Sequence, residues 1–295
     1  MKVLLTGAGG QLGQALIAAC PPGIELIATG RAELDLADSQ ACRAAVQRHR
    51  PAWVLNAGAY TAVDQAESEP ALAQAVNAGA PAALAQALAE TGGRLLQLST
   101  DFVFNGAQGQ PYQPDQPRDP LGVYGTTKAA GEQAVAEQLG AHEGGRAAIL
   151  RTSWVYGPVG RNFLLTMLRL HRRNAEAGQP LRVVADQVGC PTATPGLATA
   201  CWALIAQNLS GWQHWSDAGA ASWYDFAVAI GELAVARGLI PAAAAVQPIT
   251  TAEYPTPAQR PAYSLLACEA TRAQLGLPAW HWRQALAEVI ACVDA

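Results

Sequence analysis

A doubly wound α/β sheet, parallel and covered by helices on both faces, with a smaller and mostly helical C-terminal lobe, is the fold class this sequence predicts. Three observations carry it. Short apolar runs alternate with helix-period segments through the first half of the chain. Glycines cluster where the first run meets the first helix. Past residue 157 the alternation gives way to amphipathic helices with few strand signals. Strands buried on both faces read as continuous apolar runs, which is what a parallel sheet between helical layers produces.

In chain order, "KVLLT" (2–6) is a short buried strand, and "GAGGQLGQALIAA" (7–19) turns through glycines into a helix. "IELIAT" (24–29) is a second strand, and "DSQACRAAVQRHR" (38–50) a helix that Asp38 or Ser39 opens as N-cap. "AWVLNAGA" (52–59) is a third strand. The stretch 71–92 is helical, with Pro81 marking a break or a new start. "RLLQLST" (94–100) is a fourth strand, a helix begins near Tyr124, and "AAILRTSWVYG" (147–157) is a fifth strand. Beyond it, 162–173, 196–209 and 223–238 have helical patterns, and "LRVVAD" (181–186) is the best remaining strand. "ITTAEYPTPAQRPAY" (249–263) is proline-rich and loop-like.

The chain has 295 residues, enough for one large unit or two joined ones. Half of it is apolar, only 14% is charged, and the net charge is -4, so no basic surface is available for nucleic acid or anionic lipid. Any anionic ligand must be held by a few placed groups. The six cysteines form no CxxC pair and read as small buried residues of a reducing compartment. The five histidines have no metal-ligand spacing, so no metal is expected. The opening "MKVLLTGAGG" is too short for a signal peptide, and no stretch approaches the ~20 apolar residues of a membrane span. The expectation is a soluble cytoplasmic protein.

Gly7, Gly10 and Gly13, with Gly9 between, lie at the first strand-to-helix junction. A glycine turn lets backbone approach a pyrophosphate, and the following helix N-terminus offers free N–H groups to it. A glycine cluster alone would describe an ordinary turn. Opening a strand–helix–strand pattern, it points to a Rossmann-type dinucleotide site. In "TGRAELD" (29–35), Arg31 stands where an arginine would accommodate a 2'-phosphate, which favours NADPH over NADH. Glu33 and Asp35 are near enough to serve the ribose hydroxyls instead. Small residues at Ala57, Gly58 and Ala59 would let a dinucleotide pass over the sheet edge.

Four residues of helix rise about 6 Å and turn slightly more than once, so Tyr124 and Lys128 share a face. A free phenol, with a pKa near 10, is a poor acid–base group at neutral pH. A neighbouring ammonium is expected to lower that value and to hydrogen-bond a nicotinamide ribose. Such a pair is common by chance on helices. It gains meaning from the glycine loop and from Ser99 and Thr100, which stand at a strand's carboxyl end, where ligands of parallel sheets bind. A hydroxyl there could polarise the carbonyl that Tyr124 protonates.

Together these residues resemble the extended short-chain dehydrogenase/reductases, and within them the members that reduce dTDP-linked keto sugars. "NAGAYTAVDQAESEP", "STDFVF", "VYGTTKAAGE", "RTSWVYG", "DQVGCPT", "WYDFA" and "YPTPAQRPAYS" are similar to segments of those enzymes, in the same order along nearly the full chain. The resemblance implies reduction of the C4 keto group of dTDP-4-dehydro-6-deoxy-L-mannose to dTDP-L-rhamnose. It implies Tyr124 as proton donor, Lys128 as its partner and Thr100 assisting at the sugar oxygen. Gly10, Gln11 and Leu12 would contact the pyrophosphate, and Asp35 and Leu36 the adenosine end. Ala59, Tyr60, Thr61 and Ser99 would line the cofactor. Trp154 would contact the sugar nucleotide, and Arg260 its diphosphate. Residues 1–157 would bind the dinucleotide and 158–295 mainly the substrate, with the chain free to cross back to the first unit.

Two departures stand out. Some members hold a magnesium ion at a dimer interface through a glutamate in the first helix, and Ala15 occupies that position here. A monomer or weak homodimer is expected, and no metal-bridged dimer. Gln259 stands where an arginine often precedes Arg260. Two other readings remain open. A dehydratase or epimerase could use the same scaffold, although Phe102 follows Asp101 where dehydratases commonly carry a second carboxylate. A catalytically silent regulatory subunit would keep the fold, although the intact Tyr124, Lys128 and Thr100 set argues against it.

Overall fold

The computed structural model describes residues 1–293. β1 (Lys2–Thr6) and α1 (Gln11–Ala18) flank the glycine turn, followed by β2 (Glu25–Thr29) and α2 (Ser39–His49). Asp38 starts α2 by accepting from the Gln40 and Ala41 N–H groups, as a short acidic cap should. β3 (Trp53–Asn56) leads to α3 (Val63–Ala66), α4 (Pro70–Gln74) and α5 (Ala80–Thr91). Of the break or new start that the sequence suggests at Pro81, the structure shows the new start: the proline stands in the first turn of α5. A π-helical turn over Ala75–Gly79 joins α4 to α5. The wider turn absorbs the ring that has no N–H to give, and the helix continues.

β4 (Arg94–Thr100), α6 (Val123–Leu139) and β5 (Ala147–Thr152) complete the alternating half. The single strand expected over 147–157 divides in two. Trp154 takes a left-handed conformation (φ 46°), and β6 (Val155–Tyr156) turns away from the sheet. Then follow α7 (Phe163–Glu176), β7 (Leu181–Val184), β8 (Val188–Gly189), β9 (Thr192–Ala193), α8 (Thr194–Ala206) and β10 (Gly211–His214). The chain ends with β11 (Ala221–Ser222), α9 (Trp223–Ala236), β12 (Val246–Ile249), α10 (Glu269–Leu275) and α11 (Trp282–Ala291). The two-residue strands and short late helices carry too little period to be read from sequence.

The main sheet has the order β10-β5-β4-β3-β1-β2, and every pairing is parallel. The chain goes from β1 to β2 on one side and then crosses back through α2 to β3 on the other side of β1, so a crevice opens between the carboxyl ends of β1 and β3. β10 returns after the C-terminal lobe has begun and pairs with β5, while Trp202 on α8 donates its indole N–H to Leu16 O of α1 (3.0 Å). One apolar core lies between the sheet and α1 with α8, a second between the sheet and α2, α5 and α6, and a third inside the C-terminal lobe. Among the described residues no helix is long and apolar enough to cross a membrane. Four cysteines are buried as expected, but Cys20 is half-buried and Cys292 exposed.

α6 is held on β5 by a buried ion pair. Arg151 donates through Nε and Nη2 to Glu132 Oε1 and Oε2, each at 2.9 Å, with both side chains almost wholly enclosed. The guanidinium lies 5.0 Å from the Phe104 ring centre and 4.7 Å from that of Trp212, and also donates to Pro114 O (3.0 Å). His214 Nε2 lies 3.3 Å from Arg151 Nη1. Burial, reinforced by that charge, pushes the His214 pKa down to about 3, so the imidazole adds no second cation. Removing one partner would strand the other charge in a dry site. Glu132→Ala should therefore lower unfolding stability by about 3–5 kcal/mol in denaturant titration. A loss below about 1 kcal/mol, the scale of an exposed pair, would contradict this account.

Candidate active site

The carboxyl ends of β1, β3 and β4 are tied by a chain of buried polar groups. Thr6 Oγ1 donates to Asn56 Oδ1 (2.5 Å), Asn56 Nδ2 to Gln97 Oε1 (2.7 Å), and Gln97 Nε2 to Leu98 O (2.8 Å). Above these ends lies a cleft of about 640 Å³. Gly7, at φ 70°, begins its floor, and a Cβ there would stand 2.6 Å from Gly58 Cα. A Cβ on Gly13 would run into Gly7 O, so the first turn of α1 sits directly on the loop. Gly10 caps α1 without a side-chain hydrogen bond, and the first turn contains no acidic residue. Its N–H groups and partial positive charge face the cleft unanswered by any side chain.

At one end of the cleft, the β2 corner distinguishes its two acids. Glu33 accepts from the Gly30 N–H (2.8 Å) and is spent on closing the turn. Asp35 lines the cleft with Arg31, whose exposed guanidinium lies 3.9 Å from the Asp35 carboxylate. Leu36 packs under Gly58 and forms the apolar floor with Leu34. Ala59, Tyr60 and Thr61 form the opposite wall. Asn77, carried inward by the π turn, accepts from the Tyr60 N–H (2.9 Å) and donates to Tyr60 O (3.0 Å) and Thr127 Oγ1 (3.2 Å). That side chain fixes the wall to α6.

At the other end stand Ser99, Tyr124 and Lys128. Lys128 donates from Nζ to Leu98 O (2.7 Å). Burial pulls its pKa down to about 8, against the opposing pull of the Glu132 charge. The Tyr124 phenol behaves opposite to the sequence expectation. Its pKa is pushed up to about 12, chiefly by burial, with a hydrogen bond to Thr100 opposing and the Asp101 charge adding. Desolvation of the phenolate dominates, and the Lys128 ammonium is committed to a backbone carbonyl. Phe102 meets the Tyr124 ring edge-on, with centres 5.5 Å apart.

Thr100 is buried beside Tyr124, donating to Asp101 Oδ1 (3.0 Å) and accepting from the Phe102 N–H (3.2 Å). Asp101 is itself buried, which lifts its pKa to about 6 despite the hydrogen bond from Thr100. Neither Thr100, Trp154 nor Arg260 lines the cleft itself. Trp154 sits between two residues of its wall, Thr152 and Val155, yet its ring stacks on Trp223 with centres 3.6 Å apart. Arg260 is held by Asp64, with Nη1–Oδ1 at 3.0 Å and Nη2–Oδ2 at 2.8 Å. The structure brings all fourteen residues expected to hold a dinucleotide around one cleft. It adds Thr152, Val155, Gly160 and Arg161, which sequence reading did not single out. Thr152 and Val155 lie in "RTSWVYG", and the only signal for Gly160 and Arg161 was a "GPVGRN" loop just past a strand.

The residues present fit a dinucleotide. Ser99 Oγ is buried without a hydrogen-bond partner among the described residues. A Cβ at Gly9 would meet nothing within 4 Å, which leaves room above the loop. Among the described residues no cluster of His, Cys, Asp or Glu could hold a metal ion.

Comparison with known proteins agrees in family and fold. The model of the RmlD substrate binding domain family matches residues 1–294. A dTDP-4-dehydrorhamnose reductase of Streptomyces griseus is 44% identical over 292 residues, covering 97% of this chain and 91% of that protein. The crystal structure of a dTDP-4-dehydrorhamnose reductase from Clostridium acetobutylicum superposes with a TM-score of 0.89 at 36% identity, covering 99% of each chain. That of a dTDP-4-dehydrorhamnose reductase from Bacillus anthracis, in complex with NADP, has a TM-score of 0.88 at 33% identity and the same coverage.

Proposed function

The chain belongs to the RmlD substrate binding domain family, and from that membership we propose that it reduces dTDP-4-dehydro-6-deoxy-L-mannose at C4 to dTDP-L-rhamnose, using NADPH. The observation that carries the reading is the cleft's far end. A protonated phenol, a lysine and an unpartnered serine hydroxyl meet there, at the carboxyl end of β4, in the same cleft as the glycine loop. A phenol with its pKa near 12 holds its proton at neutral pH, as a donor to a carbonyl oxygen must.

When bound, the cofactor supplies the hydride, and the residues of this chain do the rest. Gln11 and Leu12 present backbone N–H groups to the diphosphate, and Gly10, whose own N–H donates to Gly7 O (2.9 Å), lets it come close. Arg31 swings from Asp35 to the 2'-phosphate, and Asp35 and Leu36 hold the adenosine end. Ser99 and Thr100 orient the keto oxygen toward Tyr124, which delivers its proton there. The Lys128 ammonium stabilises the negative charge left on the phenol oxygen, relieving the desolvation that otherwise keeps that pKa high. Trp154 and Arg260 serve the sugar nucleotide. Arg260 leaves or shares Asp64 to reach the substrate diphosphate. Residues 1–157 bind the dinucleotide, and 158–295 mainly bind substrate, with 194–214 returning to the sheet. The protein acts in the cytoplasm as a monomer or weak homodimer without a bridging metal.

Consumption of reduced nicotinamide with this keto sugar tests the assignment directly. No oxidation by folded, cofactor-bound protein would remove it. Tyr124→Phe should lower kcat on the order of 10²–10⁴-fold while cofactor affinity, read by titration, stays unchanged. Undiminished turnover would require another proton donor. Lys128 is charged below its folded pKa and neutral above it. The value of kcat/KM for reduction should therefore fall about tenfold per unit as pH rises past about 8. Tyr124 contributes no limb there, since its proton leaves only near 12. A flat profile through that range would take the lysine charge out of the step.

A further inference from the structure

We infer that Arg161, in the loop between β6 and α7, is the cation that grips the bridging diphosphate of the dinucleotide from the C-terminal side of the cleft. This rests on the reductase reading and extends it to a residue outside the glycine loop. The loop carrying Arg161 is fastened to the first residue of α1. Gln11 Nε2 donates to Val155 O (3.1 Å), and Asn162 Nδ2 donates to Gln11 Oε1 (3.2 Å) as well as to Gly157 O (2.9 Å). Gly160, at φ 81°, passes so close that a Cβ there would lie 3.6 Å from Gln11 Cβ. Arg161 stands between these two contacts and lines the same cleft as Gly9 and Gly10.

Charge gives the position its meaning. Three cations line the cleft, and each has its own station. Arg31 stands at the corner after β2. Lys128 is buried at the far end, its ammonium on Leu98 O. Arg161 lines the cleft from a loop fastened to Gln11, which is next to the glycine turn in sequence, and the middle of a dinucleotide carries two negative charges. The α1 N-terminus, without an acidic first turn, converges on the same place. A guanidinium matches a phosphate with paired N–H donors, and an exposed one needs little rearrangement to reach it.

Calorimetric titration with NADPH and NADH separates this from the alternatives, since both carry the diphosphate and only one the 2'-phosphate. Arg161→Ala should weaken both by a common factor of about tenfold or more. Arg31→Gln should weaken NADPH alone, and Arg161→Lys should recover part of the loss. Binding of dTDP should be unaffected by Arg161→Ala. Wild-type affinity for both dinucleotides in Arg161→Ala would overturn the inference, as would a loss confined to dTDP or to NADPH. Wild-type protein that takes up neither dinucleotide would overturn the reductase reading and this inference together.

Discussion

The buried pair of Glu132 and Arg151 is the constraint on which the site's geometry depends. α6 has almost no apolar face of its own; small and polar residues surround it. A helix of that kind cannot be oriented by hydrophobic packing alone, which only selects a stripe. Its rotation is set by directional bonds instead. The Glu132 carboxylate meets Arg151 on β5, the Lys128 ammonium meets Leu98 O on β4, and Thr127 meets Asn77. Glu67 accepts from the Val123 N–H (2.9 Å) and fixes the helix start. The glycines complete the arrangement. A Cβ at Gly125 would collide with Phe102 O, and one at Gly131 with Asn77 O. The two glycines of "VYGTTKAAGE" are therefore contact surfaces, pressed against backbone.

The same enclosure sets the acid–base character. Desolvation penalises both charged forms, so the half-buried tyrosine rises to about 12 and the buried lysine falls to about 8. Each shift opposes the sequence expectation of an acidified phenol. The expectation treated the lysine as a free neighbour, whereas the fold commits its ammonium to a strand carbonyl. The consequence favours proton donation: the resting phenol keeps its proton, and stabilisation of the phenolate is reserved for the moment the proton leaves.

Much of this was legible in the sequence because parallel sheets announce themselves. Apolar runs such as "RLLQLST" fix strands, and Asp38 or the glycine turn fixes helix starts. Strand ends then place Ser99 and Thr100, and helical spacing places Tyr124 with Lys128. What was not legible depends on contacts distant in sequence. β10 is four residues long and reads as nothing until β5 lies beside it. The π turn before Pro81 exists because a helix can widen instead of breaking. Trp154 reads as a sugar-nucleotide contact by resemblance and as core packing without it, but its stacking partner, Trp223, lies too far along the chain to be read. Arg161 sits in a loop with no period or motif, and only the tertiary fold carries it back to α1.

Arg260 shows how the C-terminal part of the chain is tied to the segment that starts α6. In sequence it is a lone arginine in a proline-rich loop. In the structure it reaches back to Asp64 on α3, and the Ala258 N–H donates to the same carboxylate (3.2 Å). The Arg260 charge, its hydrogen bonds foremost, holds the Asp64 carboxyl below its usual pKa, so the carboxylate stays charged. Both side chains are partly exposed, which keeps the pair's energy modest and lets an incoming anion compete for it. α3 in turn leads into Glu67, the residue that caps α6. A diphosphate drawn to Arg260 would therefore act on the segment that starts the Tyr124 helix, three residues from the carboxylate it displaces. The interaction proposed to recognise the substrate and the bonds that aim the proton donor thus belong to one short piece of chain.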